Sequence, residues 1–169
     1  MDFNQDVIHL NAKANDGILW LKGSDFGNGT LELDIKGKND PGKSFVGLAF
    51  HGFEDGTFDA VYFRPFNFKN PERNTPSVQY ISMPDNDWSA LRKAFPDKYE
   101  NVIEPVPDSD DWFHAKIEIN YPDVKVYVNG SKKPTLEIKQ LSERKHGTLG
   151  LWFGFGSEGW FKNLVITQK

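Results

Sequence analysis

The sequence predicts an all-β fold: two antiparallel sheets packed as a sandwich, with one short helix. Three observations predict it. Apolar and polar residues alternate in short runs, Gly and Pro punctuate the chain at short intervals, and a single segment carries helical spacing. In residues 30–36, Leu31, Leu33 and Ile35 fall on one face, with Glu32 and Asp34 on the other. That period of two is the pattern of a half-buried strand. The same alternation predicts strands at 45–51, 60–66, 78–82, 114–119, 125–128, 135–138, 148–153 and 161–167. Asn129 followed by Gly130 tolerates the positive φ angles of a type I′ turn and so predicts a hairpin. Gly42, Gly56 and Gly147 mark further tight connections. The helix is expected over 87–95. Asp85 or Asp87 can cap it, Trp88, Leu91 and Phe95 share a face, and Pro96 stops it. Residues 69–76 and 96–111 read as loops, the second carrying Asp108, Asp110 and Asp111.

At 169 residues the chain is the length of one domain, expected to span 1–169. Aromatic residues reach 14%, with 14 Phe and 5 Trp, more than a small core needs, so some are expected to line a surface or cleft. Acidic and basic residues are mixed, with a net charge of −4 and no basic stripe, so no nucleic-acid partner is expected. No apolar run approaches the ~20 residues of a membrane-spanning helix. Residues 1–6 are polar and acidic, unlike a signal peptide. The expectation is a cytoplasmic protein if the chain is complete, and an exported one if a signal has been removed. Cysteine is absent, which excludes disulfides and thiol catalysis.

Three stretches taken in order resemble a known family. The first is Trp112 through Ile119, followed by Val126, Tyr127, Val128, Asn129 and Gly130. The second is Gly147, Leu149, Gly150 and Leu151. The third is Phe161, Asn163, Leu164 and Ile166. This order resembles the second half of concanavalin A-like lectin/glucanase jelly rolls, including laminin-G-like modules and 3-keto-disaccharide hydrolase-type domains. Residues 29–35 resemble the early strand of the same folds, so the resemblance covers nearly the whole chain. Residues 58–68 resemble a block of uncharacterised bacterial relatives and carry no catalytic assignment. The resemblance implies a jelly-roll sandwich. It does not choose among the lectins, glycosidases, lyases and adhesion modules that share the fold.

The strands at 45–51, 60–66 and 78–82 give the best candidate site. With Val46, Leu48, Phe50, Val61, Phe63, Val78 and Tyr80 turned inward, the opposite face carries Gly47, Ala49, His51, Tyr62, Arg64 and Gln79. Small side chains leave space, and flat polar groups bind sugar hydroxyls. Trp152, also expected on this face, and Trp88 on the helix supply aromatic platforms. The competing reading makes Arg64 a structural residue paired with Asp59 or Glu100.

Other motifs are weaker. Glu32 and Asp34 resemble the acidic strand of laminarinase-type glucanases, but Gly37 stands where a third acid belongs. His51 and His114 have acid–base chemistry, yet the four His show no metal-ligand spacing. Asp85 with Asp87, and Asp108 with Asp110 and Asp111, offer oxygens to a structural calcium, although helix capping and solvated acids explain them as well. No other cofactor is expected. A glycan-binding module is the first functional expectation. A glycoside-cleaving enzyme on the same face is the alternative, with a non-sugar protein-interaction module as the third reading. Catalytic residues and oligomeric state stay unassigned.

Overall fold

The computed structural model describes residues 6–169, so most of the polar N-terminal stretch (1–5) lies outside the described residues. The strands are β1 (Ile8–Leu10), β2 (Gly17–Trp20), β3 (Gly29–Lys36), β4 (Val46–Glu54), β5 (Thr57–Phe63), β6 (Val78–Met83), β7 (Glu100–Asn101), β8 (Phe113–Asn120), β9 (Asp123–Val128), β10 (Leu136–Lys139), β11 (Thr148–Phe153) and β12 (Gly159–Gln168). The α-helix, α1 (Trp88–Ala94), follows β6. One sheet runs β1-β12-β3-β8-β9-β10 and the other β2-β11-β4-β5-β6-β7. Every paired strand in both is antiparallel. This is the expected two-sheet jelly-roll sandwich with its short helix.

The alternation in the sequence sets the register. In the first sheet Leu31, Leu33 and Ile35 lie opposite Ile117, Ala115 and Phe113, and all six side chains are buried. In the second, Val46 and Leu48 lie opposite Phe63 and Val61. Phe50, Leu149, Leu151 and Phe153 join them in the core between the sheets, as the alternation predicts. The two inner faces meet through aromatic contacts, including Phe63 edge-on to Phe113 at 4.9 Å.

The outward placement of His51 is corrected. Between Ala49 and Gly52, β4 takes one more residue than β11, which runs from Gly150 to Thr148 over the same span. His51 sits in this bulge with φ 49°, and the bulge turns its ring inside. It is fully buried. Its Nε2 lies 2.8 Å from the Gly27 carbonyl, and its Nδ1 lies 3.0 Å from Gln140 Nε2. Beside it Asp59, on the inner face of β5, accepts from Tyr80 Oη at 2.5 Å, Ser142 Oγ at 2.6 Å and Arg144 Nη2 at 2.9 Å. Arg144 is thus the cation that holds Asp59. Arg64, the partner considered from sequence, points to the opposite face.

The Asn129–Gly130 turn forms, with φ 51° and 72° and a Ser131 N–H to Val128 carbonyl bond of 3.1 Å. It ends β9 without joining it directly to β10, which begins only at Leu136. The chain also ends β5 earlier than predicted, because Pro65 opens a short 3-10 turn over Pro65–Asn67.

Candidate functional site

The outer face of the second sheet carries a cleft of about 570 Å³. That volume is in the range of small-molecule sites. Its floor comes from alternate residues of three neighbouring strands. Trp152 on β11 and Tyr62 on β5 both lie opposite Gly47 of β4, one on each side. Gly47 has no side chain to separate them, and their rings meet at 4.4 Å. A Cβ on Gly47 would lie 2.6 Å from Tyr62 Cβ. The space that Gly47 leaves is therefore filled by these two rings rather than left for a ligand. Both form the floor and are almost fully buried, Trp152 retaining only 5% exposure.

The walls come from the ends of strands, the adjoining loops and the helix. Phe58, Met83 and Trp88 stand on one side, and Ile18, Phe45 and Phe155 also line the cleft. Trp88 opens α1 and is 47% exposed, the most accessible indole face at the cleft. The Arg92 guanidinium stacks over it at 4.9 Å, one helical turn further on, and braces the ring. Three carboxylates complete the lining: Asp16, Asp55 and Asp87. Asp55 Oδ1 accepts from Trp20 Nε1 at 2.6 Å, and Asp87 Oδ1 accepts from the Ala90 N–H at 2.8 Å as the cap of α1. An aromatic platform ringed by acceptor oxygens offers an apolar face and hydrogen-bond partners to a polyhydroxylated ring.

The sequence candidates divide. Tyr62, Trp88 and Trp152 line the cleft. Arg64 shares their sheet face but lines a neighbouring pocket of about 460 Å³, which meets the cleft at Phe45 and Trp88. Gln79 lies opposite Tyr62 on the same face, yet is buried behind Arg64. Its Oε1 accepts from Arg64 Nη1 at 3.4 Å, and its Nε2 donates to the Tyr80 carbonyl. Gln79 thus positions Arg64 and reaches neither pocket. His51 is not at the cleft at all.

Burial shifts the titratable members of the face. It raises the Tyr62 hydroxyl to about 12 against the opposing pull of Arg64, so the phenol stays neutral and accepts from Arg64 Nη2 at 2.8 Å. Burial also lowers the Arg64 guanidinium from its ordinary value.

Asp16, Asp55 and Phe155 were missed because loops between the strands supply them. Asp55 precedes Gly56 in the β4–β5 turn, and an Asp-Gly pair between alternating runs is the one signal that could have found it. The acidic pair on β3 has another place. Glu32 and Asp34 are on the outer face of the other sheet, where they lie 3.1 and 2.8 Å from the ring nitrogens of His114, and Asn163 Nδ2 donates to Asp34 at 2.7 Å. They cannot serve this cleft. The calcium candidates are occupied in local bonding: Asp87 caps α1, Asp108 accepts from the Asp110 N–H, and Asp110 accepts from the Asn39 N–H. Among the described residues no three His, Cys, Asp or Glu side chains are grouped to hold a metal ion. No described helix is long and apolar enough to cross a membrane.

Comparison with known proteins places this geometry in context. The family model described as a 3-keto-alpha-glucoside-1,2-lyase-like domain matches residues 3–167. No curated protein matches the sequence. Among solved structures, the carbohydrate-binding module CBM66 from Bacillus subtilis superposes with a TM-score of 0.62 at 15% identity, over 97% of this chain and 92% of that one. A Bacillus subtilis protein with a galectin-like fold gives 0.61 at 16% identity, over 95% and 81%. The β-glucanase of Bacillus licheniformis gives 0.54 at 14% identity, over 87% and 69%. These likenesses are of fold.

Proposed function

The chain belongs to the 3-keto-alpha-glucoside-1,2-lyase-like domain family, and on that premise we propose that the cleft over β5 and β11 binds a glycoside, with Trp88 stacking on the sugar ring. The observation that carries this reading is the pairing of an exposed, braced indole with three rim carboxylates around a 570 Å³ cleft. Sugars present an apolar ring face and a belt of hydroxyls, and this lining answers both. Tyr62 and Trp152 form the floor beneath, and the Asp side chains accept from hydroxyls.

A second reading is favoured by those carboxylates together with the family: cleavage of a 3-keto glycoside at the same place. In such an elimination the ketone at C3 acidifies the C2 proton. A carboxylate removes that proton, the electron pair forms the C1–C2 double bond, and the C1–O bond breaks as the departing oxygen gains a proton. Asp16, Asp55 and Asp87 are the groups at hand for these proton transfers.

The test combines a glycan array with turnover of 4-nitrophenyl 3-keto-α-D-glucopyranoside. Binding of glucosides that is lost in Trp88→Ala at unchanged thermal stability supports the binding reading. Release of nitrophenol that falls at least tenfold in one of Asp16→Asn, Asp55→Asn or Asp87→Asn supports cleavage. No binding and no turnover for any glycan contradicts both.

A further inference from the structure

Arg64 carries a problem that the cleft does not explain. Its side chain is only 5% exposed, yet among the described residues it forms no ion pair. The carboxylate nearby is taken elsewhere: Glu100 accepts from Arg92 Nε at 3.0 Å and Nη2 at 2.7 Å. Arg64 instead donates to three neutral acceptors, the Pro76 carbonyl at 3.1 Å, Tyr62 Oη at 2.8 Å and Gln79 Oε1 at 3.4 Å. Nη2 also reaches Gln79 Oε1 at 3.5 Å, so each terminal nitrogen donates twice, and of the five N–H donors of the guanidinium only Nε–H has no partner among the described residues. Its guanidinium packs over the Phe45 and Tyr62 rings, with centroids 5.7 and 4.9 Å away. A desolvated cation held this firmly, and left without an anion, is a preformed half of an ion pair.

The surroundings set the direction. Arg64 lines the 460 Å³ pocket, which shares Phe45 and Trp88 with the main cleft. The charged side chains lining the main cleft are Asp16, Asp55 and Asp87, all acidic. In the second pocket Arg92 and Glu100 neutralise each other, and Arg73, Glu72 and Asp97 are all exposed, so Arg64 is its one buried charge without an ion-pair partner among the described residues. An anionic group on a ligand is repelled by the first compartment and meets Arg64 in the second.

We propose that this pocket is a subsite for the carboxylate of a uronic acid residue, held by the Arg64 guanidinium through its Nε–H, while a neutral sugar occupies the main cleft. The inference rests on the glycoside-binding reading above. It adds an anionic ligand class and an orientation, with the acid end at Arg64 and Trp88 as the partition between the two sugars.

The experiment is an NMR titration with D-glucuronate, methyl α-D-glucoside and acetate, following the Arg64 Nε–H and the Trp88 indole N–H. Glucuronate should bind roughly tenfold more tightly than the glucoside, the size of one charge-assisted contact, and should move the Arg64 resonance. The preference should shrink in 0.5 M NaCl and vanish in Arg64→Gln, with Arg64→Lys retaining part of it. The wild-type Arg64 resonance reports directly even if a variant folds poorly. Equal affinity for glucuronate and glucoside, or an Arg64 signal that stays still, overturns the subsite and leaves the main cleft intact. Acetate binding as well as glucuronate means an adventitious anion only, and also overturns it. If neither sugar binds and no arrayed glycan binds, the glycoside-binding reading itself falls.

Discussion

Trp88 and Trp152 face the same cleft but do different work. Trp152 is wedged against Tyr62 with only 5% of it exposed, so truncation empties a packed floor. Trp152→Ala is expected to cost about 3–5 kcal/mol of stability, read by urea unfolding. Trp88→Ala should cost under about 1 kcal/mol, since half the ring is already in solvent, and should weaken glycan binding by about 1–3 kcal/mol. A Trp152 variant as stable as its parent would contradict the packing described. Gly47→Ala belongs with Trp152: its Cβ would lie 2.2 Å from the Val61 carbonyl oxygen and 2.6 Å from Tyr62 Cβ. Loss of both stability and binding is expected, measured by thermal unfolding and by calorimetry.

The two buried or bridged histidines should titrate on opposite sides of their ordinary value of 6.5. Burial lowers His51, and the Gly27 carbonyl and Asp59 only partly oppose it. The unfolded chain therefore binds a proton before the folded one does. The stability held by the neutral ring is complete above pH 6.5 and is lost as pH falls toward the lowered folded value. Burial also acts to lower His114, but hydrogen bonds to Asp34 and Glu32 outweigh it and raise the ring. Its contribution is complete below 6.5 and lost as pH rises through the raised folded value. Ring-proton NMR titration should give His51 a midpoint below 6.5 and His114 one above. The reverse order would contradict both environments.

At the scale of elements, α1 matters because it carries the platform. Asp87 caps it and lines the cleft, so the two roles can be separated by substitution. Asp87→Asn keeps a capping oxygen and should leave stability within about 0.5 kcal/mol, whereas Asp87→Ala should cost about 1 kcal/mol, both read by thermal unfolding. A fall in glycan binding in the Asn variant then reports the charge at the cleft and not the helix. Long strands with clean alternation were legible in the sequence: β3, β8 and β11 follow their apolar residues. The short strands β1, β2 and β7, of three, four and two residues, were not, because so few positions show no period. The bulge in β4 was invisible for another reason. A single added residue leaves the apolar pattern of Val46, Leu48 and Phe50 unchanged and reverses only the strand end beyond it, where His51 lies.

In the whole molecule, the two sheets turn different outer faces to solvent, and the sequence showed one of them in part. Tyr62 and Trp152 were legible because strand parity fixes their side. Asp16, Asp55 and Phe155 were not, since loops brought together by the fold lie far apart in the chain and share no period. The five tryptophans now separate the faces. Trp20, Trp88 and Trp152 belong to the second sheet and its helix. Trp160 is on β12 of the first sheet and Trp112 sits beside it, with Lys36 over both rings at 4.8 and 5.4 Å. The most direct test of the cleft is therefore the indole N–H spectrum of the protein titrated with a glycan that it binds. The predicted result is a shift of Trp88 and Trp152 with Trp112 and Trp160 unmoved. Shifts confined to Trp112 and Trp160 would place the sugar on the opposite sheet and contradict the account.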